Sequence, residues 1–427
     1  MSLREEVTEL LRALLRLDTT NPPGNETQAA ELLRDYLARH GIDCELVAKV
    51  PQRANLVARL PGGEGPSLAF LCHTDTVPAD PGEWRRDPWS GDLVDDEIWG
   101  RGALDMKGQV AAGAVAFASL AREGFSPPGD LLFIATADEE VGEDIGLQWL
   151  VREHPDLVRC DYAINEGGGE RLVVDGRVLY LCAVAEKMSA PFRLVFHGRS
   201  GHASQPAIAD NALVNAAASI EALGRHRPSP QLIPEVRRFL ELVLGDVPEP
   251  SQALERARGA HPLVAELVEP LLGLTVAPTM ITASTARNVV PARCEVTVDC
   301  RLLPGETPED VEPALRALLD GADYDLEWIE RWGGTRSELD SPLWLALDAF
   351  VGELEPGARL APLACAGFTD SHWLRDAFGT VAYGFFPMRA MSPELAARLV
   401  HSADERVPVD DLELGVEALR YAATRLA

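Results

Sequence analysis

A chain of 427 residues exceeds what one ordinary hydrophobic core organises, so two or more domains are expected. With 67 Asp and Glu against 39 Lys and Arg, the net charge is −28 and is spread along the chain; such a surface repels phosphate backbones and excludes nucleic acid as a partner. The longest small-apolar run, residues 110–121, is too short to span a bilayer, which excludes a membrane partner.

In chain order, Leu3, Val7, Leu10, Leu11, Leu14 and Leu15 recur at helical spacing and predict an amphipathic helix over 3–17. Arg4, Glu5, Glu6 and Glu9 within it are incompatible with a signal peptide, and the expected location is cytoplasmic. A turn cluster at 18–25 precedes a helix over 27–40 that Gly41 ends. Strands are expected at 43–48, 55–60 and 67–72, followed by a long loop, 78–104, of the kind that is usually functional. A helix at 107–123, a buried strand at 131–137, a helix at 145–153 and a strand at 160–165 come next. Strands alternating with helices predict an α/β fold with a mostly parallel sheet.

After residue 186 the grain changes. Residues 191–198 and 293–303 alternate like half-buried antiparallel strands, accompanied by helices at 210–224 and 307–320. Between them, 225–278 carries no readable motif, with helices expected near 233–244 and 263–272. From 336 the α/β pattern returns, with a helix at 342–353, a strand near 380–385 and a final helix at 410–426. The simplest organisation is one α/β domain built from 1–186 and 336–427, interrupted by an inserted α+β domain, 187–335. The seven cysteines (44, 72, 160, 182, 294, 300 and 365) include no Cys-x-x-Cys pair and most lie in apolar stretches. Buried free thiols fit that pattern better than a disulfide framework or a thiolate zinc site.

Residues with chemistry to offer stand where the expected strands end. His73 and Asp75 follow the apolar run 68–72; two apart on extended backbone, they point to one side. Asp105 precedes the 107–123 helix, Glu139 and Glu140 end the 131–137 strand, Glu166 ends the 160–165 strand, and His401 lies late in the chain. Singly, each has a plain structural reading: a capped histidine, a helix N-cap, a solvated acidic turn, a polar loop residue, a surface histidine. Jointly they are the inventory of a dinuclear hydrolytic centre. Oxygen and imidazole donors without thiolates suit zinc, cobalt or manganese. Two such ions about 3.5–4 Å apart need a bridging carboxylate. They also need a histidine and a carboxylate each. Adjacent residues on extended backbone diverge, so Glu139 and Glu140 should divide their roles, one binding metal and the other facing water as general base. Asp75 would fix the tautomer of His73.

The motifs His73-Thr-Asp75-Thr-Val-Pro, Gly102-Ala-Leu-Asp105-Met-Lys-Gly, Asp138-Glu139-Glu140, Asn165-Glu166-Gly-Gly and His401-Ser-Ala-Asp-Glu resemble the M20 family of dinuclear metallopeptidases. That family includes acetylornithine deacetylase, succinyl-diaminopimelate desuccinylase, aminoacylase, carboxypeptidase G and di- and tripeptidases. The resemblance covers nearly the whole chain. It implies two divalent ions, zinc first with cobalt or manganese as alternatives, one held by His73, Asp105 and Glu166 and the other by Asp105, Glu140 and His401. It further implies Glu139 as general base, Asp75 as the orienting acid, and a cis peptide after Asp105. The inserted domain resembles the family's lid, which is commonly also the surface of a homodimer. In it, His202 matches the lid histidine that helps hold the substrate carbonyl, while Asn288 and Arg301 match positions that grip substrate, including its carboxylate. A structural salt bridge is an equal reading of Arg301. Gly367 matches a loop whose backbone meets substrate, and Phe368 beside it stands where some relatives have a small or hydroxylated residue. The activity implied is hydrolysis of an amide or peptide bond beside an amino-acid carboxylate, in a small N-acyl amino acid or a short peptide. The alternatives are a carbamoyl- or ureido-type amidohydrolase at the same centre, and a metal-binding protein without catalysis.

Overall fold

The computed structural model describes residues 1–426. Two compact units emerge: one from Met1–Val184, Ser337–Leu363 and the segment from Thr369 on, the other from Ala185–Arg336 and Ala364–Phe368. No described helix is long and apolar enough to cross a membrane. None of the seven cysteines is in a disulfide, and five of them are buried.

The first unit is built on a nine-stranded sheet. Its middle is parallel, with Leu131–Thr136, Leu68–His73, Tyr162–Asn165 and Val381–Gly384 side by side. Cys44–Ala48 and Ala54–Leu60 extend it antiparallel on one flank, and Arg177–Glu186 with Arg171–Val174 on the other. The sheet is therefore mixed, which corrects the expectation of a mostly parallel one. The flanking strands are linked by short turns, and a short turn returns the chain antiparallel, whereas a parallel neighbour needs a crossover of a dozen or more residues. Asp175 and Gly176 form one such turn, at φ 48° and 76°, the left-handed pair that a two-residue Asp-Gly hairpin requires.

Leu68–His73 and Leu131–Thr136 are buried at every position because both sheet faces are covered. On one face Ala69, Leu71, Leu132, Ile134 and Ala382 pack with Leu147, Leu150 and Leu374. On the other, Phe133 meets Phe117 of the helix Lys107–Arg122, their ring centroids 6.2 Å apart. Half of that helix is Ala and Gly and it is buried from Lys107 to Leu120, so the helices Leu3–Leu15 and Val409–Arg425 pack closely against it. The stretch expected as the long loop 78–104 contains a hairpin, Asp92–Val94 with Glu97–Trp99, turned at Asp95 and Asp96. Its second strand pairs with Arg406–Pro408, tying the segment before Asp105 to the segment after His401.

The second unit is an antiparallel sheet in which Arg293–Leu302 pairs with Met188–Ser189, Phe192–His197 and Thr275–Thr282, and Phe192–His197 with Tyr324–Trp328. Arg293–Leu302 buries every second residue, so Cys294, Val296, Val298, Cys300 and Leu302 face a core shared with the helices Ala212–Arg225 and Pro308–Leu318. Lys187, 1% exposed, donates to the carbonyls of Pro270 and Gly273 at 2.8 and 2.9 Å. It thereby ties the start of this unit to the end of its helical segment.

Candidate metal centre

The parallel register aligns His73 with Thr136 and Asn165 with Gly384. The residues just beyond these strands, namely Asp75, Asp138 to Glu140 and Glu166, leave the sheet together at its carboxyl edge, where open α/β folds gather ligands. Asp105 and His401 arrive by another route. Glu405, fully buried, accepts N–H bonds from Gly102, Leu104 and Asp105 at 3.0, 2.7 and 3.0 Å and a guanidinium bond from Arg101 at 2.6 Å. Four residues past His401, it clamps the Asp105 loop against the His401 loop. The Asp105–Met106 peptide is cis.

The side chains converge. Asp105 turns Oδ1 toward His73 Nε2 at 3.1 Å and Oδ2 toward His401 Nε2 at 3.0 Å. Glu140 Oε2 lies 3.3 Å from His401 Nε2. Glu166 Oε2 and Glu139 Oε2 lie 3.6 and 3.9 Å from His73 Nε2. Donor atoms of His73, Glu139 and Glu166 fall within 4.8 Å of one another, as do those of His73, Asp105 and Glu140.

Asp75 is fully buried beneath this cluster. Nδ1 of His73 sits 3.1 Å from the Asp75 carbonyl and 3.4 Å from its carboxylate, so that nitrogen carries the proton and Nε2 turns its lone pair to the cluster. The Asp75 carboxylate also accepts the backbone N–H groups of Glu139 and Glu140 at 3.2 and 3.1 Å and the amide of Asn21 at 2.9 Å. One carboxylate thus orients a histidine and sets the turn that presents two glutamates. Asp75→Asn replaces an acceptor by a donor facing those N–H groups. It is expected to lower metal affinity or kcat about 10–100-fold in a folded protein, as measured by metal titration and steady-state kinetics.

The electrostatics of the cluster call for positive charge. Burial raises Glu139 well above the ordinary carboxylate range, with Glu166 adding repulsion. Burial also pushes Glu166 up to about 7, aided by Asp105. Burial opposes the charged form of His73, yet Glu166, Asp105 and Asp75 outweigh it and raise its pKa. Asp105 and Glu140 lift His401 to about 10. Oε1 of Glu140 is buried without a hydrogen-bond partner. Four carboxylates and two imidazoles around one hollow, one oxygen left unsatisfied, form an oxygen–nitrogen donor set that fits divalent cations such as zinc, cobalt or manganese.

Glu405 stands in the His401 motif with no role assigned to it there, and Asp370 carries no sequence signal. Asp370 is buried, accepts from the Thr136 hydroxyl at 2.7 Å, and is raised by burial to about 7. Neither residue has a local signal, since each acts through groups far away in the chain. In the second unit, Gly201–His202 pairs with Val289–Val290, which sets His202 beside Asn288, both exposed. His202 Nδ1 accepts from the Ser204 hydroxyl at 2.8 Å. Arg301 bonds Asp299 through Nε and Nη2, both at 3.1 Å, the structural pairing open to it from the sequence. Gly367 belongs to the same unit, in the segment Ala364–Phe368.

Comparison with known proteins bears on what this centre is. The sequence profile of peptidase family M20/M25/M40 matches residues 69–425. Succinyl-diaminopimelate desuccinylase of Methylorubrum extorquens strain PA1 is 27% identical over 421 residues, covering 95% of this chain and 94% of the relative. Among solved structures, the M20 family metallo-carboxypeptidase Sso-CP2 from Sulfolobus solfataricus superposes with a TM-score of 0.75 at 19% identity, covering 99% of each chain. The Bacillus subtilis YXEP protein, a dinuclear metal binding peptidase, gives 0.59 at 15% identity, covering 99% of this chain and 97% of its own. The chain belongs to the M20 peptidase family and is a metallohydrolase of amide or peptide bonds.

Proposed function

We propose that the chain cleaves an amide bond beside an amino-acid carboxylate, in an N-acyl amino acid or a short peptide, at a centre of two divalent ions. The observation that carries this reading is Asp105, whose two oxygens face His73 and His401 separately. His73, Asp105 and Glu166 would hold one ion and Asp105, Glu140 and His401 the other, with zinc the first choice and cobalt or manganese alternatives. When bound, the ions supply Lewis acidity to the carbonyl and lower the pKa of the attacking water. Glu139 takes the proton of that water and delivers it to the departing amine. Asp75 keeps His73 in one tautomer and Glu139 in place throughout. The second unit serves as the lid: His202 donates to the carbonyl oxygen as charge grows on it, with Asn288 beside it. Arg301 turns its guanidinium fork from Asp299 to the substrate carboxylate, and the backbone at Gly367 meets the substrate. The desuccinylase relatives, aligned over nearly the full chain, favour an N-acyl amino acid over a peptide.

A second copy of the chain is the proposed partner. Thr275–Thr282 pairs on one side with Arg293–Leu302 and is exposed along most of its length, with Met280 at 66% and Ile281 at 50%. Val214 on the helix Ala212–Arg225 is 64% exposed. An apolar edge strand of that kind is left open only where something covers it. Light scattering should report a dimer for the native chain and a monomer for Ile281→Lys; a monomeric native chain removes the proposal.

The function is tested by stripping the protein with a chelator and assaying N-acetyl and N-succinyl amino acids, dipeptides and N-carbamoyl amino acids after adding zinc, cobalt or manganese. Turnover should vanish on stripping and return with cation. Activity indifferent to chelation, or confined to the carbamoyl compounds, overturns the reading.

A further inference from the structure

In the first unit a cavity of about 180 Å³ opens against the metal centre, with Asp105 and Glu166 in its wall. The rest of that wall is mostly apolar, from Leu104, Phe386, Met388, Ala396, Ala397 and Val400. Two polar residues also line it, Gln109 and Glu170. Gln109 is 5% exposed, and its carboxamide has no hydrogen-bond partner among the described residues. The Glu170 carboxylate has none beyond its own backbone N–H.

The local chain explains how Glu170 comes to be there. Glu166 is followed by Gly167, Gly168 and Gly169, with Gly167 at φ 107° and Gly169 at φ 116°. A Cβ on Gly169 would meet the Phe386 carbonyl oxygen at 1.8 Å, so only glycine lets the loop press against 386–388. Glu170 then bridges to Met388 and lines the cavity, while Glu166 faces the histidines. A carboxylate set among apolar walls with no protein partner is costly. It also raises the Glu170 pKa by burial. A hydrophobic subsite would be served better by Leu or Met at this position, and a neutral polar one by Gln.

The geometry points to this cavity as a specificity subsite for an aliphatic chain ending in an ammonium group, received by Glu170 and Gln109. This rests on the reading that ions held by Asp105 and Glu166 fix the scissile end of the substrate beside it. An engineered apolar cavity of about 150 Å³ holds benzene, so the volume here suits a chain of roughly four to six heavy atoms. A charge-assisted bond from the ammonium supplies the directional contact, and the net charge of −28 favours the approach of cations.

The test uses calorimetry on the zinc-loaded protein with ω-amino acids from 4-aminobutanoate to 6-aminohexanoate, each against the alkanoate of equal length. The carboxylate end seeks the ions and the other end probes the cavity. At least one ω-amino acid should bind tenfold or more tightly than its alkanoate. Glu170→Gln should erase the difference, and Glu139→Ala should preserve it. Gln109→Leu, checked for folding by circular dichroism, should weaken the preference severalfold and serves as the second variant where Glu170→Gln fails to fold. Equal binding of the two series, tighter binding of the alkanoates, no binding of any ω-amino acid, or a preference that survives both variants overturns the proposal. A preference without hydrolysis of any amide tested sinks the proposed function and leaves this subsite standing; hydrolysis without the preference does the reverse.

Discussion

Replacing Glu139 by Ala should lower kcat about 10²–10⁴-fold, the usual contribution of a positioned acid or base, while the protein stays folded and keeps its metal. That range corresponds to roughly 3–5 kcal/mol of lost transition-state stabilisation. Donor atoms of Glu139 lie close enough to His73 and Glu166 for Glu139 to be a ligand itself, with Glu140 as the base. Distances favour the other assignment, because Glu140 lies 3.3 Å from His401 while Glu139 stays 3.9 Å from His73. If Glu139 were a ligand, the Ala variant would lose an ion as well as activity. Measuring metal stoichiometry and kcat on the same preparation separates the two. Unchanged turnover would remove Glu139 from the chemistry altogether.

The sequence showed the centre more clearly than it showed what supports it. Runs such as 68–72 and 131–135 are apolar throughout because both faces of the sheet are covered, and a continuous apolar run leading into His or Asp-Glu-Glu can be read without a structure. Arg293–Leu302 was as readable, since its side chains alternate between core and solvent. Other elements carried weaker signals. Asp92–Val94 and Glu97–Trp99 are too short for a period-two pattern, and their turn, Asp95-Asp96, lacks the glycine that marks a hairpin. Thr275–Thr282 contains Pro278, which disguises a strand; the register slips there, as proline in an edge strand permits. The Asp175-Gly176 hairpin carries its turn signal in full, both residues standing at positive φ. The Asp75 bonds to two backbone amides depend on an approach of distant loops that no spacing encodes.

Glu405 is the extreme case of such hidden support, and its removal should be the most damaging single change to stability. Its carboxylate is fully buried, 304 positions along the chain from Arg101, which is itself 3% exposed. Glu405→Ala leaves that guanidinium without its ion partner and three N–H groups without their acceptor. Breaking one side of a buried pair costs about 3–5 kcal/mol, and urea unfolding should show a loss of at least that size. Metal affinity should fall too, because Gly102, Leu104 and Asp105 hang from this carboxylate. A double variant, Arg101→Met with Glu405→Leu, tells the two effects apart. Removing both charges restores part of the stability, since an apolar pair of similar volume is often as stable as the buried ion pair it replaces. It cannot restore the acceptor for the Asp105 loop, so metal binding should stay weak in a protein that folds. A double variant that regains full metal affinity would show that the loop needs no clamp and that Asp105 is held by its other contacts alone.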